Sequence, residues 1–344
     1  MTLTRRNALI LGAGALGAGA LGASALAAPF VGRARAQGRY RIAQILYRGE
    51  TQVEAGFRDY LEQRGVDAEL IVFNAELDPS RVPGIVEEVK ALAPDLVYSW
   101  GTPNTIATFG RAADVDPSVN ITELPGVFTM VSAPVESGLV PSLASSGRNI
   151  TGTSHVVPPE PQLRAMQSYK PFTRLGVLYT PNEPNSAAIV GRVKEVGEEM
   201  GFTVAERLFP IGADGKPDGS VAAELVEELG AEGSEWLYYL PDTFLLLQME
   251  RVTPTATRLG IPGFSAVETM QTDALISLVS RYYSVGQLTG YKAEQILVEG
   301  RDPASIPIET LQRFALIINM KMAKAMELYP PLAMLNYANI LRDE

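Results

Sequence analysis

The chain has 344 residues, 46% of them hydrophobic and 20% charged, with a formal net charge of −10, one histidine and no cysteine. That length and balance suit two globular domains and exclude a disordered chain or a polytopic membrane protein. An acidic surface without a basic stripe argues against a nucleic-acid partner, and the lack of cysteine excludes disulfides, thiolate metal sites, a cysteine nucleophile and an acylated anchor.

Residues 1–36 hold Arg5, Arg6, Arg33 and Arg35 and no acidic residue. Arg5-Arg6 ahead of a charge-free Ala/Gly/Leu run predicts a twin-arginine export signal, with cleavage after Ala36 at the pattern Ala34-Arg35-Ala36. The product would be free in the periplasm, with no membrane anchor left. An uncleaved anchor is the rival, and the glycine content of the run disfavours it. Gly12, Gly14 and Gly17 match the dinucleotide fingerprint G-x-G-x-x-G. No Asp or Glu follows until Glu50, so the acidic residue that would hold a ribose is missing and that reading fails.

From residue 41 onward short β-type runs alternate with amphipathic helical segments, the pattern of parallel sheets covered by helices on both faces. Strands are expected at 41–47, 68–73, 96–100, 127–131 and 150–154. Helices fall at 51–64, at 80–92 after Asp78-Pro79, and after Gly101-Thr102-Pro103. A second series follows, with helices at 161–169, 185–200, 221–229, 243–259, 285–299 and 320–328. Its strands are expected at 175–179, 203–209, 236–240, 263–265, 275–280 and 314–319. Residues 212–219 read as a surface loop, and the tail after Pro330-Pro331 has no strong period. Two similar, doubly wound Rossmann-like lobes result.

In such sheets ligands sit beyond the carboxyl ends of the strands. Here those ends carry Tyr47-Arg48-Gly49-Glu50, Trp100-Gly101-Thr102-Pro103, Ser132-Ala133-Pro134, Ser154, Thr180-Pro181-Asn182, Pro241-Asp242-Thr243 and Ser265-Ala266-Val267-Glu268. Thr102 and Ser132 suit a ligand carboxylate at a helix start, or serve as plain caps. Asp242 is placed for a ligand ammonium, with an N-cap role as the alternative; Glu268 and Glu50 are the next ammonium candidates. Arg48 can meet a ligand carboxylate with its planar fork, or bridge the lobes. Trp100 and Tyr47 are placed to stack on an apolar or aromatic group, whereas Tyr238 and Tyr239 read as core. Asn182, Asn185 and Ser186 can donate across the cleft. Ala133, Ser154 and Thr243 complete the expected ligand set. His155 reads as a structural residue at the edge of a hinge.

Catalysis needs a nucleophile with a base, a metal cluster, or paired carboxylates. One histidine and no cysteine remove most such schemes. Glu50, Glu183, Asp242 and Glu268 offer carboxylates, but no spacing ties any two together. The expectation is a non-catalytic binding cleft with no metal and no cofactor; a hydrolase or lyase on the same scaffold is the rival from the enzyme class.

The runs PGVFTMVSAPVESGLVPSLASSGRNITGTS (125–154), RLGVLYTPNEPNSAAIV (174–190), WLYYLPDT (236–243), RYYSVGQLTGYKAEQILVEGRDPASIPIE (281–309) and FALIINMKMAKAM (314–326) together resemble the substrate-binding components of ABC importers. The resemblance is to the family that includes tryptophan-binding ABC-type lipoproteins, and it spans nearly all of the chain after the leader. It implies a type I periplasmic-binding fold, a Venus-flytrap of two lobes joined by a multi-crossing hinge. The lobes are expected at 37–155 plus 282–312 and at 156–281 plus 313–344. It implies binding of a small molecule, best matched by an amino acid or a similar zwitterion, by a monomer that delivers it to a membrane permease driven by a separate ATPase. A sensor that presents its closed form to a receptor is the alternative. Ala133 stands where the family usually has Asp, Asp242-Thr243 reverses its usual Thr-Asp pair, and 265–268 depart from its acidic turn. Ligand identity therefore does not carry over.

Overall fold

The structure, a computed structural model, describes residues 38–342. The expected export signal and its cleavage point lie outside these residues.

The first series builds β1 (Tyr40–Leu46), α1 (Gln52–Gln63), β2 (Ala68–Asn74), α2 (Val82–Leu92), β3 (Leu96–Trp100), α3 (Thr102–Phe109), β4 (Gly126–Thr129) and β5 (Ile150–Gly152). Its five strands are all parallel, in the order β2-β1-β3-β4-β5. Helix α1 starts on a capping box: the Thr51 side chain accepts from the Val53 N–H, while the Glu54 carboxylate accepts from the Thr51 N–H at 2.7 Å. Strands β3, β4 and β5 are buried along their whole length, because helices shield both faces of the sheet.

The second series adds α4 (Pro159–Tyr169), β6 (Arg174–Tyr179), α5 (Pro184–Met200), β7 (Thr203–Leu208), α6 (Ala222–Ala231), β8 (Trp236–Tyr239), α7 (Thr243–Leu246), α8 (Met249–Arg258), β9 (Gly263–Ser265) and β10 (Ile276–Val279). After α9 (Tyr282–Leu297) come β11 (Ala315–Asn319), α10 (Met320–Ala325), α11 (Leu332–Leu335) and β12 (Asn339–Leu341). The second sheet has seven strands in the order β12-β11-β10-β9-β8-β6-β7. Each sheet supports its own hydrophobic core; Phe57, Tyr98 and Phe128 are central to the first, Trp236, Tyr238 and Phe264 to the second.

Several expectations need correction. The second sheet is not wholly parallel, since β11 runs antiparallel to β10. The chain reaches β11 from the far side, after a detour through α9 and the first lobe. The expected helix at 243–259 is two helices. The Leu247 N–H to Phe244 carbonyl and Gln248 N–H to Leu245 carbonyl bonds tighten the chain into a 3₁₀-type turn, while Pro254 sits inside α8 without ending it. The helix at 320–328 stops at Ala325, and Glu327 takes a positive φ of 55° just beyond it. The patternless tail forms α11 and β12, and β12 extends the sheet by pairing with β11. A three-residue edge strand is too short to show a period.

The chain passes between the two sheets near 153–158, at 280–282 and between 309 and 314. Helix α9 follows β10 yet packs against α1 and β4. The first and third passages are joined to each other: Ser154 N–H donates to the Glu309 carbonyl at 2.9 Å, and Glu309 N–H to the Gly152 carbonyl at 3.4 Å. Beneath them the fully buried Lys292 bonds Glu309 at 2.7 Å and the Pro307 carbonyl at 2.5 Å.

Candidate functional site

The carboxyl ends of the parallel strands of both sheets meet at one cavity of ≈ 440 Å³, counted together with its opening to solvent. Tyr47 and Arg48 reach it from the end of β1, Trp100 from β3, Thr102 from the start of α3, and Met130 and Ser132 from beyond β4. Glu183 and Asn185 come from the start of α5, Asp242 and Thr243 from that of α7, Thr269 and Met270 from beyond β9. His155 and Tyr282 enter from two of the chain crossings.

Two chemically opposite groups of side chains face this space. On the side of the second sheet stand two buried carboxyls. Asp242 caps α7: its Oδ1 accepts from the Leu245 N–H at 2.8 Å, and its Oδ2 from the Thr180 N–H at 2.8 Å and the Ser186 hydroxyl at 2.9 Å. Glu183 Oε1 accepts from the Thr243 and Phe244 N–H groups at 2.8 and 3.3 Å. Burial, and secondly the Asp242 charge, pushes the Glu183 carboxyl up to about 8, so at neutral pH it holds a proton. Burial raises Asp242 as well, against the donors that favour its charge. Asn185 donates to the Pro241 carbonyl at 2.8 Å, which fixes its amide orientation, and leaves its buried Oδ1 without a partner.

The opposite group consists of donors. The Arg48 guanidinium lies 4.8 Å from the centroid of the Trp100 ring. Its charge also acts on Tyr282 and His155. The Trp100 indole Nε1 and the His155 Nδ1 are buried without hydrogen-bond partners. Burial, and secondly the Arg48 charge, drives His155 down to about 3, so its ring is neutral. Tyr47 spans the two groups. Its hydroxyl donates to the Leu77 carbonyl at 3.3 Å, and burial followed by the Glu183 charge raises it to about 12.

Of the residues expected from sequence, Tyr47, Arg48, Trp100, Thr102, Ser132, Asn185, Asp242 and Thr243 line this cavity. The others are placed elsewhere. Ser186 stands behind the wall, holding Asp242. Glu50 pairs with Arg58 at 2.8 Å on the surface, and Asn182 is exposed and donates to the Gly215 carbonyl at 3.2 Å. Glu268 is taken up by Arg281 at 2.8 Å and by the Tyr282 N–H at 2.6 Å, so it staples a crossing and does not face the cavity. Ala133 and Ser154 line a separate, mostly apolar hollow of ≈ 850 Å³ beside the crossings.

Among the wall residues, sequence reasoning missed Met130, Leu246, Thr269, Met270 and Tyr282, named Val267 only as part of a strand end, gave Glu183 no binding role, and assigned His155 to structure alone. Glu183 had a usable signal, a carboxylate between a strand end and the Pro184 helix start. Tyr282 had none, because only the crossing brings it to the cavity. Among the described residues no group of His, Cys, Asp and Glu could hold a metal ion, and no helix is long and apolar enough to cross a membrane.

Residues 42–340 match the family described as ABC transporter substrate binding protein. A "Tyrosine-binding protein" of Clostridioides difficile is 26% identical over 283 residues, covering 80% of this chain and 77% of its own. A conserved domain protein of Vibrio cholerae superposes with a TM-score of 0.77 at 23% identity, over 89% of this chain and 100% of that one. An ABC domain from Streptococcus pneumoniae, solved in complex with L-Trp, gives 0.76 at 22% identity, over 88% and 99%. The fold is the type I periplasmic-binding fold, and the family consists of binders rather than enzymes. With a match over nearly its whole described length, the chain belongs to the ABC transporter substrate binding protein family.

Proposed function

We propose that this chain is the periplasmic solute-binding component of an ABC importer, closing its lobes on a zwitterionic amino acid and delivering it to a membrane permease with a separate ATPase. One observation carries the ligand class: an acidic group (Glu183, Asp242, Asn185 Oδ1) and a donor group (Arg48, Trp100 Nε1, the α3 start at Thr102) face one small cavity from opposite sheets. The ammonium lies against the first and the carboxylate against the second. The side chain lies among Tyr47, Met130, Leu246, Val267 and Met270. The Clostridioides relative named for tyrosine and the Streptococcus domain holding L-Trp support an aromatic side chain.

The lobes divide at 155–156, 281–282 and 312–313. The leader is removed after the twin-arginine route, and the mature protein works as a monomer without a membrane anchor. The test is a calorimetric and thermal-shift panel of L-amino acids, their amides and their deaminated acids. A ligand present at 100 times its Kd stabilises the fold by about 2.7 kcal/mol. L-tyrosine or L-tryptophan should give saturable binding, with large losses when either the ammonium or the carboxylate is removed. Turnover of ligand, or equal binding of the deaminated acids, overturns the reading.

A further inference from the structure

His155 was expected to be structural, yet it lies in the cavity wall with 4% of its surface exposed and an Nδ1 that meets no partner. The Arg48 charge acts on its ring, and Arg48 and Trp100 line the same cavity. Arg48 and the indole N–H of Trp100 can only donate. Tyr282 packs edge-on against the imidazole at 6.0 Å. A ligand group that satisfies Arg48 and Trp100 must therefore be an acceptor. A neutral imidazole beside them matches that same group only as the tautomer bearing hydrogen on Nδ1.

We propose that His155 is a ligand-contacting specificity residue, its Nδ1–H donating to the ligand carboxylate beside Arg48 and the Trp100 indole. This rests on the reading of the cavity as a zwitterion site. The division of labour is chemical. Arg48 supplies charge from the first lobe, whereas His155 supplies direction from a chain crossing, so the carboxylate is held by the hinge as well as by a lobe. A neutral donor is suited to this place, because a second cation beside Arg48 would repel it.

His155 is the sole histidine in the chain, so protein labelled with nitrogen-15 histidine yields one imidazole to observe. L-tyrosine and L-tyrosinamide are the probes, since they differ only at the carboxylate. Adding L-tyrosine should shift the imidazole to the Nδ1–H tautomer with a hydrogen-bonded proton, and L-tyrosinamide should not. His155→Phe should weaken L-tyrosine roughly 10- to 100-fold and the amide far less, the loss of one bond to a charged group. His155→Asn, whose amide nitrogen occupies the Nδ1 position, should stay close to wild type, and His155→Gln should not. An unmoved imidazole resonance on saturation, or equal losses for acid and amide, overturns the role of His155 and leaves the zwitterion reading standing. If the wild type binds no zwitterionic amino acid in the panel, that reading falls and this inference falls with it.

Discussion

On the proposed reading, Glu183 meets two demands that conflict. A ligand ammonium favours its charged form, while burial beside Asp242 favours the proton, which holds it at about 8 against an ordinary value of 4.5. Below 4.5 the group is protonated in both folded and unfolded chains and costs nothing. Between 4.5 and 8 the folded protein binds the extra proton, so stability falls as pH rises through that window. Glu183→Gln should therefore gain stability over the wild type progressively across it, as read from urea midpoints at a series of pH values. Ligand binding runs the other way: an ammonium expels the proton, so wild-type affinity should climb as pH rises from about 6 to about 8. In Glu183→Gln that slope should vanish and affinity should drop by at least tenfold, about 1.4 kcal/mol; a pH-independent wild-type affinity would remove Glu183 from the site. Asp242 contributes differently. With a cap and two further donors on its carboxylate, its replacement would disturb α7 as well as the ligand.

At the level of elements, α1 and α9 decide where the site residues stand, because α9 begins with Tyr282 and α1 follows Arg48. The two helices approach backbone to backbone at a pair of glycines. A Cβ on Gly56 would lie 2.0 Å from the Tyr283 carbonyl oxygen, and one on Gly286 1.9 Å from that of Val53. Threonine hydroxyls continue the seam, with Thr289 and Thr153 at 2.7 Å and both bonding Thr129 at 3.2 Å. Gly286→Ala cannot be absorbed by a side-chain shift, since the obstacle is main chain. It should cost about 2 kcal/mol despite the better helix propensity of alanine. Gly191→Ala in α5, where nothing lies within 4 Å, should instead gain up to about 1 kcal/mol. Urea unfolding with an unchanged m-value separates the two, and equal effects would show that the helix contact is looser than described. The Gly286 variant should also lose ligand affinity, because moving α9 moves Tyr282.

For the whole molecule, the proposed reading of a site built half on each sheet implies closure. A ligand held by both lobes binds the closed form more tightly, and about 5.5 kcal/mol of difference takes a 1:99 equilibrium to 99:1. Small-angle scattering should record a smaller radius of gyration when L-tyrosine or L-tryptophan saturates the protein. Arg48→Gln, which removes the first-lobe charge from a half-buried position, should weaken binding by roughly 100-fold and abolish the compaction at ligand concentrations that saturate the wild type. Compaction of that variant at the wild-type midpoint would place the lobe-bridging contact on another residue.

The sequence alone determined the series of strands and helices, the doubly wound class and the family. Those follow from local periodicity and from runs such as 125–154, which need no tertiary contact to be read. It also placed Arg48, Trp100, Thr102 and Asp242 at strand ends, since doubly wound sheets put ligands there whatever the side chains. Tertiary structure decided the rest. Glu183 and Asp242 are 59 positions apart, and their pairing follows from the adjacency of the α5 and α7 starts at one sheet edge. Glu50 and Glu268 had the right chemistry, but Arg58 and Arg281 take them out of the site, and ion pairing across elements leaves no trace in local sequence. Tyr282 and His155 reach the cavity because the chain crosses between the lobes at those points. The β12 edge and the reversal of β11 arise in the same way, from where a returning chain finds free backbone partners.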